Sequence, residues 1–157
     1  MRGKGLEIQS ADIMEVARFA SSYAAKKYER PLIVEDTGLF IDALGGFPGP
    51  YASFVFRSIG SEAILRLLGG GEEERRATFR SAVAYCEPGG VPRVFRGTIV
   101  GAIAKRAAGR RGFGFDPIFI PAGQTLTLAQ LSIDEKCRIS HRAEAATKFG
   151  EWYVRQS

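Results

Sequence analysis

Residues 32–38 read Leu-Ile-Val-Glu-Asp-Thr-Gly, and the predictions for the rest of the chain are built around this stretch. Its first three residues form a continuous apolar run, which is typical of a strand buried on both faces. Two carboxylates, Glu35 and Asp36, follow directly, where we expect the strand to emerge from the core. Because side chains alternate along a strand, these carboxylates should point to opposite faces of the sheet. The stretch therefore predicts a central strand with polar chemistry at its end.

Helical patterns lie on both sides of this strand. Asp12 with Glu15 resembles a capping box, and apolar residues at helical spacing follow it, so a helix is predicted over about residues 12–28. A second helix is predicted over residues 61–68, where three consecutive glycines stop it. The Gly- and Pro-rich residues 45–51 between strand and helix predict a loop with fixed turns.

The second half of the chain predicts a hairpin followed by two helices. Segments rich in β-formers at residues 77–86 and 91–105 surround a Pro-Gly-Gly turn, which indicates a long hairpin. Ser132 and Ser140 stand in N-cap positions of the two helices. We expect the last helix to pack through one face, made of Ala143, Ala146, Phe149 and Tyr153.

Size and composition are those of an ordinary globular protein. The chain has 157 residues, of which 45% are hydrophobic and 25% charged, and this fits one domain. It has no apolar run near the roughly 18 residues of a membrane span and no signal-peptide pattern, so we expect a cytoplasmic protein without membrane contact. The two cysteines are too isolated for a zinc site or disulfide framework. The net charge of +5 favours an anionic partner. Because no nucleic-acid reader motif is present, we expect no nucleic acid.

Glu35 and Asp36 allow two interpretations. Adjacent carboxylates at a strand end can bind a hard cation such as Mg²⁺, or one of them can be the general base for a water nucleophile. Alternatively, Glu35 pairs with an arginine and Asp36 caps the turn into Thr37-Gly38. Spacing alone leaves both interpretations open.

Two further stretches are candidates for ligand binding. Residues 112–117 (GFGFDP) join glycines, which let a ligand approach the backbone, to two aromatic rings that can stack on a planar base. A glycine-rich turn with two core phenylalanines is the alternative. Residues 136–142 gather Lys136, His141 and Arg142 at a predicted helix start, where the charge and the helix N-terminus both favour an anionic ligand. Solvated surface charge is the alternative.

Four stretches taken together resemble the inosine triphosphate pyrophosphatase (ITPase) family. They are residues 34–39 (VEDTGL), 46–51 (GFPGPY), 112–119 (GFGFDPIF) and 135–142 (EKCRISHR), in the family's order and spacing. The resemblance implies an α/β protein with the ITPase-like fold, a mixed central β-sheet flanked by helices in two lobes, as a single domain over residues 1–157. It further implies hydrolysis of non-standard purine nucleoside triphosphates (ITP, dITP, XTP), Mg²⁺ as cofactor, and a homodimer.

The resemblance also implies roles for individual residues. Asp36 matches the proton acceptor, which also touches the metal, and Glu7 matches a glutamate that helps to bind Mg²⁺. Thr37 matches a substrate contact. The base-binding loop is matched by Phe113, Gly114, Phe115 and Asp116. The positions that hold the nucleotide and read its purine oxygens are matched by Lys136, His141 and Arg142.

One part of the family pattern has no counterpart in the sequence. Family members begin with a strand and a Ser/Thr-x-Asn-x-x-Lys loop that cradles the triphosphate. We therefore expect the first strand and helix of the fold to be missing, and a second copy or another element to cover the exposed sheet edge. The alternative to an active enzyme is a catalytically impaired protein that still binds purine nucleotides.

Overall fold

A computed structural model describes residues 8–70 and 75–156 of the chain. Its strands are β1 (Leu32–Ile41), β2 (Pro48–Gly49), β3 (Arg76–Cys86), β4 (Arg93–Ile103) and β5 (Phe119–Pro121). Its α-helices are α1 (Ile13–Tyr28), α2 (Ala52–Leu68), α3 (Ile133–Ile139) and α4 (His141–Val154). The α/β class is confirmed, and none of the helices in these ranges is long and apolar enough to cross a membrane.

One five-stranded sheet, in the order β2-β1-β3-β4-β5, runs through the structure. Each neighbouring pair in it is antiparallel, so the sheet of the described residues is antiparallel and not mixed as the resemblance implied. The predicted hairpin is confirmed as β3 and β4, and β1 pairs with β3 along its whole length. This register places Thr37 opposite Ser81 at the middle of the sheet.

The sheet is covered on both faces by helices. On one face, Ile13 and Ala17 of α1 pack against Phe40, Ala82 and Ala84. On the other face, a larger cluster includes Leu39, Phe79 and Ile99 from the strands together with Val55 and Ile64 from α2. Helix α4 lies on this second face, because its His141 ring stacks on Phe79. Alternate residues of each strand therefore serve two separate apolar layers.

The prediction that residues 32–34 are buried on both faces is wrong. Ile33 is 53% exposed, and the continuously buried part of the strand is residues 38–41. The reason is that the two apolar clusters meet the strand at Leu39, Phe40 and Ile41, beyond the apolar run. Glu35 and Asp36 consequently lie in the middle of a ten-residue strand and not at its end.

The helix predictions are correct in position and partly wrong in detail. Asp12 caps α1 by accepting the Met14 N–H at 2.8 Å, but Glu15 accepts from the Ser10 hydroxyl and does not complete a capping box. Helix α2 already begins at Ala52, and a non-helical Gly60 with φ of 70° divides it, so the predicted helix over residues 61–68 is its second half.

Helix α4 packs through a face that matches the predicted one only in part. Phe149 and Tyr153 contact the Tyr85 ring as part of that face. The buried residues, however, are His141 and Ala145, and Ala146 is exposed. Ser140 caps the helix as predicted, since its hydroxyl accepts the Arg142 N–H at 3.2 Å. The aromatic residues of the sheet fix the face that helical spacing alone left ambiguous.

Gly97 of β4 determines how closely α4 approaches the sheet. A Cβ atom at this position would lie 1.9 Å from the His141 carbonyl oxygen and 2.8 Å from the Ala145 nitrogen. No side chain fits into that space, so the backbone of α4 rests directly on the strand. This contact fixes the position of His141 above Phe79.

The outer edge of β4 is partly paired by side chains of the same helix. The Thr98 N–H donates to Glu144 at 2.8 Å, and Lys148 donates to the Arg96 carbonyl at 3.0 Å. Glu144 and Lys148 also form an ion pair one helical turn apart.

We predict that Gly97→Ala destabilises the protein while Gly150→Ala does not. The new methyl group at 97 must displace α4 backbone, and overpacking of this kind costs about 1–3 kcal/mol or more. Gly150, on the same helix, has open space where its Cβ would lie, so alanine there should add about 0.5–1 kcal/mol of stability. Urea unfolding of both variants measures the difference. Equal stabilities would contradict the close approach at Gly97.

Candidate active site

A pocket of about 340 Å³ opens between α2, α4 and the residues that follow Gly112. Five of its lining residues carry aromatic or imidazole rings, namely Phe56, Phe79, Phe113, Phe115 and His141. Thr37 of β1 also lines it, together with Gly114 and Asp116. The pocket has the flat, apolar walls that suit a planar heterocycle.

His141 places the only imidazole of the chain in the pocket wall. The residue is 4% exposed, and its ring stacks on Phe79 with centroids 5.0 Å apart and planes within 6°. Burial, reinforced by the charge of Arg142, lowers the pKa of His141 to about 4. The imidazole is therefore neutral at pH 7, and neither ring nitrogen has a hydrogen-bond partner among the described residues. A buried polar ring without partners is costly unless a ligand completes it.

Phe113 is the exposed ring at the pocket mouth. Its side chain is 58% exposed, with the Lys136 ammonium 4.8 Å and the Arg142 guanidinium 5.0 Å from the ring centroid. Cations at this distance from an aromatic ring are attracted to it. Phe115, by contrast, is buried and meets Phe56 edge to face at 5.3 Å.

Asp116, which is buried, and Lys136, which is partly buried, form an ion pair next to this ring. The Lys136 Nζ lies 2.5 Å from the Asp116 Oδ2, which also accepts the Phe113 N–H at 2.8 Å. Gly112 lets them meet, because a Cβ at this position would lie 2.1 Å from the same carboxylate oxygen. Lys136 belongs to α3 and points to Asp116, so it does not stand at the start of α4 as the sequence indicated.

Glu35 and Arg142 form a second ion pair beside Thr37, which lines the pocket. The guanidinium donates to both carboxylate oxygens, through Nε at 2.7 Å and through Nη2. Thr37 and Ser81 donate to the same carboxylate at 2.7 Å and 3.2 Å. Burial alone would raise the pKa of Glu35, but these hydrogen bonds and the Arg142 charge outweigh it and lower the pKa. Pairing of Glu35 with an arginine, one of the two interpretations of its sequence, is confirmed.

Asp36 lies on the opposite face of β1 from this network. It lines a second cavity, of about 200 Å³, between α1 and the start of α2. Its Oδ1 accepts the Thr37 N–H at 3.0 Å. Ser53 lines both this cavity and the aromatic pocket, so the two spaces adjoin at the edge of β1.

Most of the residues assigned by resemblance thus fall into one region, in two compartments. The aromatic pocket holds Thr37, Phe113, Gly114, Phe115, Asp116 and His141, with Lys136 and Arg142 on the Phe113 ring. Asp36 faces the other compartment. Glu7, the second predicted metal ligand, lies outside the described residues.

Several residues of the region had no sequence motif of their own. Phe56 and Phe79 look like ordinary apolar residues of a helix and a strand, and Ser53 and Ser81 look like ordinary polar ones. Only tertiary packing brings them to the pocket and to Glu35. The sequence offered no signal for Ser81, because β3 also carries Thr78 and Arg80, and only the structure shows that Ser81 is fully buried.

The described residues suit Mg²⁺ only as a partner shared with phosphate. In ranges 8–70 and 75–156, no group of three or more Asp, Glu, His or Cys side chains could hold a metal. Mg²⁺ usually keeps several waters and needs one or two carboxylates beside substrate phosphates. Asp36, in its cavity, is a suitable carboxylate for that arrangement. An aromatic pocket for a planar base, adjoining a carboxylate cavity, defines the class of a nucleotide-binding protein.

Comparison with known proteins narrows this class. The model of the Ham1 family matches residues 3–152. The chain is 54% identical over 147 residues to the dITP/XTP pyrophosphatase of Methanopyrus kandleri, covering 94% of this chain and 78% of that protein. It is 48% identical over 152 residues to the dITP/XTP pyrophosphatase of Pyrobaculum aerophilum, covering 97% of this chain and 80% of that protein.

A solved structure agrees with these relatives. The Staphylococcus aureus Ham1 protein superposes with a TM-score of 0.90 at 33% identity, over 99% of this chain and 83% of that chain. The ITPase-like fold is confirmed by this likeness. The chain belongs to the Ham1 family.

We predict that Phe113 and Phe115 separate ligand binding from stability. Phe113→Ala removes an exposed stacking ring, so affinity for inosine monophosphate should fall about 10-fold or more with little loss of stability. Phe115→Ala empties a buried site and should cost about 3–5 kcal/mol of unfolding free energy. Calorimetric titration and urea unfolding measure the two effects. Unchanged affinity in Phe113→Ala would contradict a stacking role.

We predict that His141 makes stability fall between pH 6.5 and pH 4. The unfolded chain binds a proton near pH 6.5 and the folded chain only near pH 4, so acid favours the unfolded state throughout this window. The full loss is roughly 3 kcal/mol. Urea unfolding at several pH values should show it, and His141→Phe should flatten the slope. Because the chain has one histidine, its NMR titration also gives the pKa directly, and a value near 6.5 would contradict the prediction.

Proposed function

We propose that this protein hydrolyses non-standard purine nucleoside triphosphates (ITP, dITP and XTP) to the monophosphate and pyrophosphate, and so removes them from the nucleotide pool. The observation that carries the proposal is the buried, unpartnered His141 in the wall of an aromatic pocket. The relatives named dITP/XTP pyrophosphatase support the same activity.

The pocket supplies the contacts that such a base needs. Phe113 offers a face for stacking, and Arg142 and Lys136 add positive charge beside it. Hypoxanthine and xanthine carry a carbonyl at C6, where adenine carries an amino group. Donors from His141 and Arg142 at that position select against adenine, because an amino group there leaves them unpaired.

The phosphates of the bound nucleotide extend past Ser53 toward Asp36, because Ser53 joins the two cavities. There Asp36 acts as the general base. It accepts the proton of the attacking water while the anhydride bond between the α- and β-phosphates is broken. Thr37 holds the Asp36 carboxylate through its backbone N–H and orients it.

Mg²⁺ is the cofactor of the proposed reaction. Asp36 would hold it together with Glu7 and the substrate phosphates. When bound, the ion neutralises phosphate charge as the bond breaks. These donors are carboxylate and phosphate oxygens, which are the ligands that a hard cation such as Mg²⁺ takes.

Assembly and location are part of the same proposal. A homodimer and a cytoplasmic protein remain predictions, as does the absence of nucleic-acid binding. The alternative, a protein that binds purine nucleotides without turnover, gains no support from relatives that are named as pyrophosphatases. Release of pyrophosphate from ITP in the presence of Mg²⁺ separates the two.

We predict that Asp36→Asn lowers the rate of ITP hydrolysis by about 10²-fold or more, the usual contribution of a general base. Affinity for inosine monophosphate should change little, because Asp36 faces away from the aromatic pocket. Asp42→Asn is the control, since this carboxylate forms an exposed ion pair with Arg76. Full ITP hydrolysis by Asp36→Asn would contradict the assignment of the base.

A further inference from the structure

We propose that Glu35 is a positioning residue that determines base selectivity by fixing the Arg142 guanidinium. This inference rests on the proposed function and adds to it a residue to which the family resemblance gives no role. Glu35 is not among the residues that line the aromatic pocket, and it is bonded to Arg142, so it acts through Arg142. Three observations carry the inference: the two-point ion pair, the buried support of the carboxylate, and the donors that remain on Arg142.

The two-point ion pair fixes both the position and the plane of the guanidinium. Arg142 donates to one carboxylate oxygen through Nε and to the other through Nη2. A fork of this kind defines the guanidinium plane, whereas a single contact would leave it free to rotate. The arginine side chain has many rotamers, so without Glu35 its donors would not keep one direction.

The Glu35 carboxylate is itself held by both neighbouring strands. Thr37 donates from two residues along β1, and Ser81 donates from β3, where it is paired with Thr37. Ser81 is fully buried, so its hydroxyl is placed by the sheet and not by solvent. Through Glu35, the position of the Arg142 side chain on α4 is therefore fixed by strands at the centre of the sheet.

Within residues 8–70 and 75–156, the remaining side-chain donors of Arg142 have no hydrogen-bond partner and can serve a base. A guanidinium has five N–H groups, of which Glu35 takes one on Nε and one on Nη2. The others, including those of Nη1, belong to a group that lies 5.0 Å from the Phe113 ring. A base stacked on that ring would meet donors in a fixed direction, and a hydrogen bond to a purine carbonyl depends on direction. By holding the guanidinium in one orientation, Glu35 lets Arg142 recognise a base through hydrogen bonds of fixed direction.

Loss of Glu35 should reduce discrimination more than affinity. Without Glu35, Arg142 keeps its charge and still attracts an anionic nucleotide. Its donors are no longer aligned, so a base that cannot accept from them is no longer disfavoured. A purely structural defect at this position would instead weaken binding of all purine nucleotides to the same extent. The ratio of affinities for two bases separates these cases.

The test compares affinities for inosine monophosphate and adenosine monophosphate by calorimetric titration of the full chain. Glu35→Gln should reduce the preference for inosine monophosphate by about 10-fold, and Glu35→Asp, which keeps the charge, should restore part of it. Glu144→Gln is the matched control, because it removes a carboxylate that pairs with Lys148 and not with Arg142. In an Arg142→Gln background, Glu35→Gln should have no further effect on the preference.

The possible outcomes separate this inference from the proposed function. An unchanged preference in Glu35→Gln, or an effect that persists when Arg142 is absent, overturns the inference while the proposed function stands. If the unmutated protein neither binds inosine monophosphate nor hydrolyses ITP, the proposed function is overturned, and this inference with it. If Glu35→Gln does not fold, Ser81→Ala removes one support of the carboxylate and should shift the preference in the same direction by a smaller factor.

Discussion

The contact between α4 and Gly97 is the constraint on which the rest of the structure depends. Because residue 97 has no side chain, the carbonyl of His141 can lie where a Cβ would otherwise be. This brings the first turn of α4 onto the sheet, so the His141 ring stacks on Phe79. The next residue, Arg142, then reaches Glu35 on β1. The aromatic pocket, its neutral imidazole and the neighbouring Glu35–Arg142 ion pair all depend on this close approach at Gly97.

The alternation of side chains along β1 separates the two proposed roles of the site, base recognition and water activation. Glu35 and Thr37 lie on the face of β1 toward α4, whereas Asp36 lies on the face toward α1. Thr37 lines the aromatic pocket, and Glu35 and Asp36 both border the second cavity. Base recognition and water activation are thus assigned to consecutive residues that cannot exchange roles without a change of register. A nucleotide that uses both compartments must cross the strand edge near Ser53, which sets a minimum length for the ligand.

The local elements of the fold could be predicted because their signals are local. The Asp12 cap, the hairpin of β3 and β4 and the N-caps at Ser132 and Ser140 each depend on neighbouring residues. The burial of β1 could not be predicted, because it depends on which part of the strand the clusters at Leu39 and Phe40 reach. The packing face of α4 was predicted only in part, since it depends on aromatic residues of distant strands.

The candidate site shows the same division between local and tertiary information. Family motifs located the stretches around Asp36, Phe113 and His141, and the pairing of Glu35 with an arginine was one of two open interpretations. Neither motif nor spacing identified Arg142 as that arginine or Ser81 as the supporting hydroxyl. These contacts join residues far apart in sequence, 107 positions for the ion pair. Such pairs are determined by the fold as a whole.

The side chains that α4 sends to the outer edge of β4 have a consequence for association. Glu144 and Lys148 occupy a backbone donor and a backbone acceptor that an incoming strand would need. Extension of the sheet by another chain at this edge would first have to break both contacts and desolvate the ion pair between the two side chains. The helix that builds the pocket therefore also closes one route to aggregation, and a second copy would have to associate through a different surface.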